Sequence, residues 1–247
     1  LRFAARDITL RYRQTALGVA WVILQPLLAA GILSFVFGNV ADLPAPYDIP
    51  YFLFTLVGMV GWTAFSQVAT RSAGSLVANA GLVQKIFFPR VLLPLSSTCS
   101  TMVDVAVSLG LVAVVLVVQG GSHSGAGIVT FPVWLVMFVV IGLGLGLTSC
   151  ALMVNYRDVG YVLPVAVQFL LFLSPVAYTL NSVPASTRTL YELNPLAGLL
   201  EGLRWSLLGT PRPSVGLALY STLSSAAIFV VGLLVFHRLE RGFADVI

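Results

Sequence analysis

Residues 105–156 read VAVSLGLVAVVLVVQGGSHSGAGIVTFPVWLVMFVVIGLGLGLTSCALMVNY and contain no Asp, Glu, Lys or Arg. A helix crosses a bilayer with about 20 apolar residues, so this stretch is long enough for two crossings. Its only break is the Gly/Ser-rich run at 119–127, which a lipid-facing helix does not tolerate because its backbone would lack partners. The stretch therefore predicts two antiparallel spans, near 100–118 and 132–154.

The same reading extends outward in both directions. Uncharged gaps at 14–41, 49–70, 159–187 and 213–237 predict further spans near 19–40, 51–70, 161–179 and 217–236. The fold class expected is an all-α integral membrane protein with six transmembrane helices. Composition agrees: 58% of the 247 residues are hydrophobic and 9% charged, with a mean hydropathy of +0.99. A soluble surface cannot be built from so few polar groups. Of the thirteen basic residues, Arg2, Arg6, Arg11, Arg13, Arg71, Lys85, Arg90, Arg157, Arg238 and Arg241 fall on one side of the six-span topology. Cytoplasmic loops retain positive charge, which predicts a plasma-membrane, multi-pass chain with both termini in the cytoplasm. The pI near 9.3 is then a consequence of topology, and no nucleic-acid partner is expected. Cys99 and Cys150, near cytoplasmic span ends, are read as reduced, packed thiols without metal spacing.

Three segments do not read as spans. In 1–18, Leu1, Ala5, Ile8 and Tyr12 recur at helical spacing against Arg2, Arg6 and Arg13, which describes an amphipathic helix in the membrane interface. Residues 71–97 are too polar to span and too apolar to float. Short helices broken at 79–81 and at Phe88–Pro89 would form a docking surface or a hairpin resting on the membrane. In the outer segment 180–209, Pro184 starts one helix, and Asn194 followed by Pro195 reads as an N-cap with proline in the first turn of a second. Such a pair would dip back into the outer leaflet. Arg188 with Glu192, and Glu201 with Arg204, are spaced to pair as solvated rim charges.

Within the spans, Gly142 and Gly146 have the spacing that lets another helix approach closely, as a packing face within the chain. Asp104 is the one ionisable residue at depth and is placed in the first turns of its span, near the helix N-terminus and Arg90. Neither a phosphate-binding Gly-rich loop nor an acidic catalytic pair is present in the sequence, so uphill transport would take its work from another subunit.

Five ordered motifs resemble a known family: LRYRQTALGVAW at 10–21 with Gln25–Pro26, KIFFPRVLLPLS at 85–96, NYRDV at 155–159, SPVAY at 174–178 and NPL at 194–196. As a set they are similar to the ABC-2 permeases, specifically Wzm-type polysaccharide exporters of O-antigen, teichoic acid or galactan precursors. The resemblance implies a homodimer of six-helix subunits with two Wzt-like nucleotide-binding ATPase subunits. ATP and Mg would lie on those partners, with no cofactor and no enzyme activity in this chain. It further implies a lipid-linked polysaccharide as cargo, and the low-Lys, Ala/Val/Gly-rich composition points towards cell-wall galactan.

Roles follow from the same resemblance. Arg11 and Arg13 would attract the pyrophosphate of a polyprenyl carrier at the entrance. Trp62, Phe65, Phe169 and Phe172 would stack on sugars along the path. Asn79, Lys85, Phe87, Phe88, Arg90, Asn155, Arg157 and Asp158 would contact the ATPase, while Tyr178, Asn194, Pro195, Glu201 and Arg204 would belong to the outer gate. The alternatives are an exporter of small hydrophobic drugs or lipids, a non-transporting scaffold of envelope synthesis, and a membrane glycosyltransferase, which lacks its acidic pair here.

Overall fold

The computed structural model of the protein describes residues 20–85, 88–118, 127 and 129–243. The expected interfacial helix at 1–18, with Arg11 and Arg13, and the coupling residue Phe87 lie outside the described residues.

The described chain is all helical. It runs α1 (Ala20–Ser34, prolonged by a π turn Phe35–Val40), α2 (Tyr51–Ala78), α3 (Ala80–Lys85), α4 (Leu92–Val118), α5 (Phe131–Asn155), α6 (Val159–Leu173), α7 (Ala185–Glu192), α8 (Pro195–Leu208) and α9 (Val215–Leu239). Five of these, counting α1 with its π turn, are long and apolar enough to cross a membrane: α1, α2, α4, α5 and α9. The sixth expected span, 161–179, differs. Its helix α6 has only 15 residues, about 22 Å at 1.5 Å per residue, and the chain from Ser174 to Thr179 continues without helical structure.

The non-spanning segment expected at 71–97 is also shorter than read. Helix α2 continues through Arg71 to Ala78 and α4 begins at Leu92, because their polar residues meet each other rather than water. Ser72 Oγ lies 3.4 Å from Ser97 Oγ and 3.3 Å from Thr98 Oγ1, and it donates to the Pro94 carbonyl. Only Asn79 separates α2 from α3, its Nδ2 donating back to the Ser75 carbonyl at 2.9 Å.

Helix α2 is the centre of the bundle, packed by α5, α4, α1 and α8. Close approach depends on glycine. A Cβ on Gly142 would lie 2.7 Å from the Phe65 carbonyl oxygen, and one on Gly146 2.7 Å from Ser72 Cβ, both across to α2. The Gly142/Gly146 face thus packs within the chain, as its spacing predicts. Gly144, on the opposite face of α5, meets Gly232 of α9, where a Cβ on Gly232 would fall 2.2 Å from the Gly144 oxygen.

Candidate functional site

Leu76, Leu93, Val154 and Phe236 share one apolar cluster, which gathers Lys85, Arg90, Arg157 and Arg238 at a basic end of the bundle, while α2 begins at the opposite end, where Tyr51 meets the connection 174–214 at Ala177. Between them a cavity of about 250 Å3 opens among α1, α2 and α4. Val22, Pro26, Ala29, Met59 and Trp62 supply its apolar wall, and Gln25, Thr63, Ser66, Gln67, Asp104 and Ser108 its polar one. Thr63, Ser66 and Gln67 share a wall because spacings of three and four place them on one face of α2. The Gln67 Oε1 atom is buried without a hydrogen-bond partner. An orphaned acceptor costs about 1–3 kcal/mol, so the cavity holds an unmet demand for a donor.

Asp104 is buried and pairs with Arg71 Nη1 at 2.9 Å. The same guanidinium nitrogen donates to Thr101 Oγ1 at 3.2 Å. The reading that gave Asp104 the helix N-terminus and Arg90 as partners is corrected. Twelve residues, about 18 Å of helix, separate it from Leu92, and Arg90 instead donates to the Glu240 carbonyl at 2.5 Å.

Of the four aromatic path residues, Trp62 alone lines the cavity. Phe65 is fully buried, its carbonyl against Gly142, and does not line the cavity. Phe169 and Phe172 are 65% and 60% exposed on α6, away from the cavity. The polar members of the cavity wall, Gln25, Thr63, Ser66 and Gln67, escaped the sequence reading, although their spacing on an apolar helix was the available signal.

At the basic end, Leu82, Val83 and Phe88 pack in one apolar cluster with Leu76 and Val154. This brings the 79–91 connection beside the 155–158 turn. Lys85, Asn155, Arg157 and Asp158 are exposed there, while Phe88 and Arg90 are half-buried. Asn79 is spent on capping α2.

At the opposite end, Asn194 is the N-cap of α8, its Oδ1 accepting from Leu196 N at 3.0 Å, with Pro195 in the first turn. Helix α8 closes on Gly209 in the left-handed region, φ 68°. Arg188 and Glu192 pair at 2.9 Å on the exposed helix α7. Arg204 is not a rim charge. It is 2% exposed, its guanidinium carbon sits 3.8 Å from the centroid of the Phe54 ring, and its Nη2 and Nη1 donate to the carbonyls of Val176 at 2.5 Å and Tyr178 at 3.4 Å. Glu201, Tyr47, Thr179 and Thr210 share a small pocket with it. Tyr178 donates to the Phe172 carbonyl, and its ring meets Tyr191 edge-on and Phe37 at a tilt.

A bundle of helices, five of them among the described residues long and apolar enough to cross a bilayer, defines an all-α integral membrane protein. The sequence model of the ABC-2 type transporter family matches residues 2–208, and the chain belongs to that family. Over 245 residues it is 28% identical to an O-antigen export system permease protein RfbA of Klebsiella pneumoniae, covering 98% of this chain and 92% of that one. It is 29% identical to the RfbA permease of Myxococcus xanthus over 79% of this chain and 74% of that one. With the polysialic acid transport protein KpsM of Escherichia coli it shares 27% identity over 79% and 76% of the two chains.

Proposed function

We propose that this chain is the conduit subunit of an ATP-driven exporter that moves a polyprenyl-pyrophosphate-linked polysaccharide, with cell-wall galactan the specific glycan, from the cytoplasm across the plasma membrane. It works as a homodimer on two Wzt-like ATPase subunits, which hold ATP and Mg. The observation that carries the glycan over a small hydrophobic cargo is the cavity. An aromatic ring beside amide and hydroxyl groups suits a sugar, which has an apolar face and a polar rim, whereas an apolar drug would leave Gln67 unsatisfied.

The roles follow from the chemistry. Arg11 and Arg13 receive the pyrophosphate, since guanidinium forks match phosphate oxygens. Trp62 faces the sugar in each subunit, and the exposed α6 face with Phe169 and Phe172 is completed by the second copy. Lys85, Phe87, Phe88, Arg157 and Asp158 meet the ATPase, whose closure on ATP displaces α2. Positive charge at the basic end supports a cytoplasmic assignment for that end and for both termini.

The test is reconstitution of the permease with its ATPase in proteoliposomes. Lipid-linked glycan added to them should stimulate ATP hydrolysis, and Gln67→Leu or the pair Arg11→Ala and Arg13→Ala should weaken that stimulation with assembly intact. Equal stimulation by an apolar lipid lacking sugars, or no association with an ATPase, sinks the reading.

A further inference from the structure

A helix that stops within the bundle leaves its last four carbonyls without intrahelical donors, and lipid offers none. Helix α6 ends at Leu173, and the break that follows is closed by side chains. Tyr178 Oη donates to the Phe172 carbonyl at 2.9 Å, and Asn194 Nδ2 to that of Leu173 at 3.3 Å and to Ser174 Oγ at 2.8 Å. Arg204 serves Val176 and Tyr178, and Tyr51 Oη serves Ala177 at 2.5 Å.

Three of these donors tie the break to other helices, Asn194 from the N-cap of α8. Arg204 reaches it from α8, and Tyr51 from the first turn of α2. The face of α2 that receives them is continuous: Tyr51, Phe54 and Gly58 follow at spacings of three and four. Phe54 lies under the guanidinium, a favourable cation–π arrangement. Gly58 leaves the room, since a Cβ there would stand 2.5 Å from the Val176 oxygen and 2.7 Å from Arg204 Nη2. Helix α2 has 28 residues, a rod of about 42 Å. Its other end runs through the Arg71–Asp104 pair and the Ser72 seam to Asn79 and the connection at the basic end.

We propose that Arg204 is a positioning residue for export: with Tyr51 it fastens the helix break at 174–178 to the outer end of α2. A displacement of α2 imposed at the basic end then carries the outer connection with it. Of the five carbonyls, those of Leu173, Val176 and Tyr178 are met from α8 and that of Ala177 from α2, and the guanidinium of Arg204 also rests on Phe54 of α2, so the break travels with the two helices that satisfy it. The inference rests on the ATP-driven reading above.

The test uses the reconstituted complex of permease and ATPase, with Cys99 and Cys150 replaced by Ser and an environment-sensitive maleimide dye on Ser186→Cys of α7. Tyr51→Phe removes one hydroxyl, and Arg204→Lys keeps the charge without the fork. Both should assemble and hydrolyse ATP at the wild-type basal rate. Polymer exported per ATP should fall roughly fivefold in Tyr51→Phe, the factor that one net hydrogen bond contributes to an equilibrium, and further in Arg204→Lys. The ATP-dependent dye signal should shrink in parallel. Wild-type export per ATP and dye signal in Tyr51→Phe would overturn the proposal, as would loss of assembly in that variant; if Arg204→Lys does not assemble, Tyr51→Phe decides alone. A wild-type complex that exports nothing counts against the transport reading instead.

Discussion

Among the described residues, two ionised side chains, Asp104 and Arg204, are buried inside the bundle, and they are stabilised in different ways. Asp104 is held by an opposite charge, Arg71, while Arg204 is held by neutral carbonyls and an aromatic face. Asp104 was legible in the sequence as an ionisable residue at depth, whereas Arg204 read as a solvated rim charge, and neither partner was legible, because Arg71 and Val176 are 33 and 28 positions away along the chain. Asp104→Asn should lower unfolding stability by about 1–3 kcal/mol, since Arg71 keeps some solvent exposure after losing its acceptor. Thermal unfolding in detergent micelles measures it. Adding Arg71→Gln should recover part of that loss, as a coupled pair requires.

At the scale of elements, close approach and capping decide the architecture. Gly232→Ala places a methyl group against the Gly144 carbonyl, and overpacking of this kind costs about 1–3 kcal/mol. We expect a lower unfolding temperature for Gly232→Ala, and an unchanged one for Gly216→Ala, whose added Cβ meets nothing within 4 Å. Asn194→Ala removes the α8 cap and the donor to Leu173, so its cost should reach the upper part of the range of about 0.5–2 kcal/mol for caps. Proteolysis at the α7–α8 connection in the detergent-solubilised protein would report the loss, and unaltered protection would show that the cap is dispensable. Helix α8 was readable in advance from Asn194, Pro195 and Gly209, because capping is chemistry between near neighbours. The early end of α6 was not read, although Pro175 disfavours helix at Ser174; what no local signal shows is that the break is satisfied by Tyr178 together with donors from α2 and α8.

For the whole molecule, the basic end and the opposite end give a labelling prediction. In a background with Cys99 and Cys150 replaced, a membrane-impermeant maleimide added to intact cells should modify Thr187→Cys on α7 and leave Tyr156→Cys untouched until the membrane is opened. The reverse pattern would invert the assigned orientation. Charge asymmetry makes this readable from sequence because translocation itself selects against positive loops.

The sequence by itself determined the class of protein, the approximate number and order of its membrane helices, the capped helix α8 and the family motifs. All of these depend on composition, periodicity or contacts between residues a few positions apart. The tertiary structure alone decided that Arg204 is interior rather than solvated, that Asp104 belongs to Arg71, that Phe65 is core while Trp62 borders a cavity, and which side chains satisfy the break after Leu173. Each of those outcomes is a competition for partners in a medium that supplies none. The winner is whichever group another helix brings within reach, and pairings across helices leave no period in the sequence.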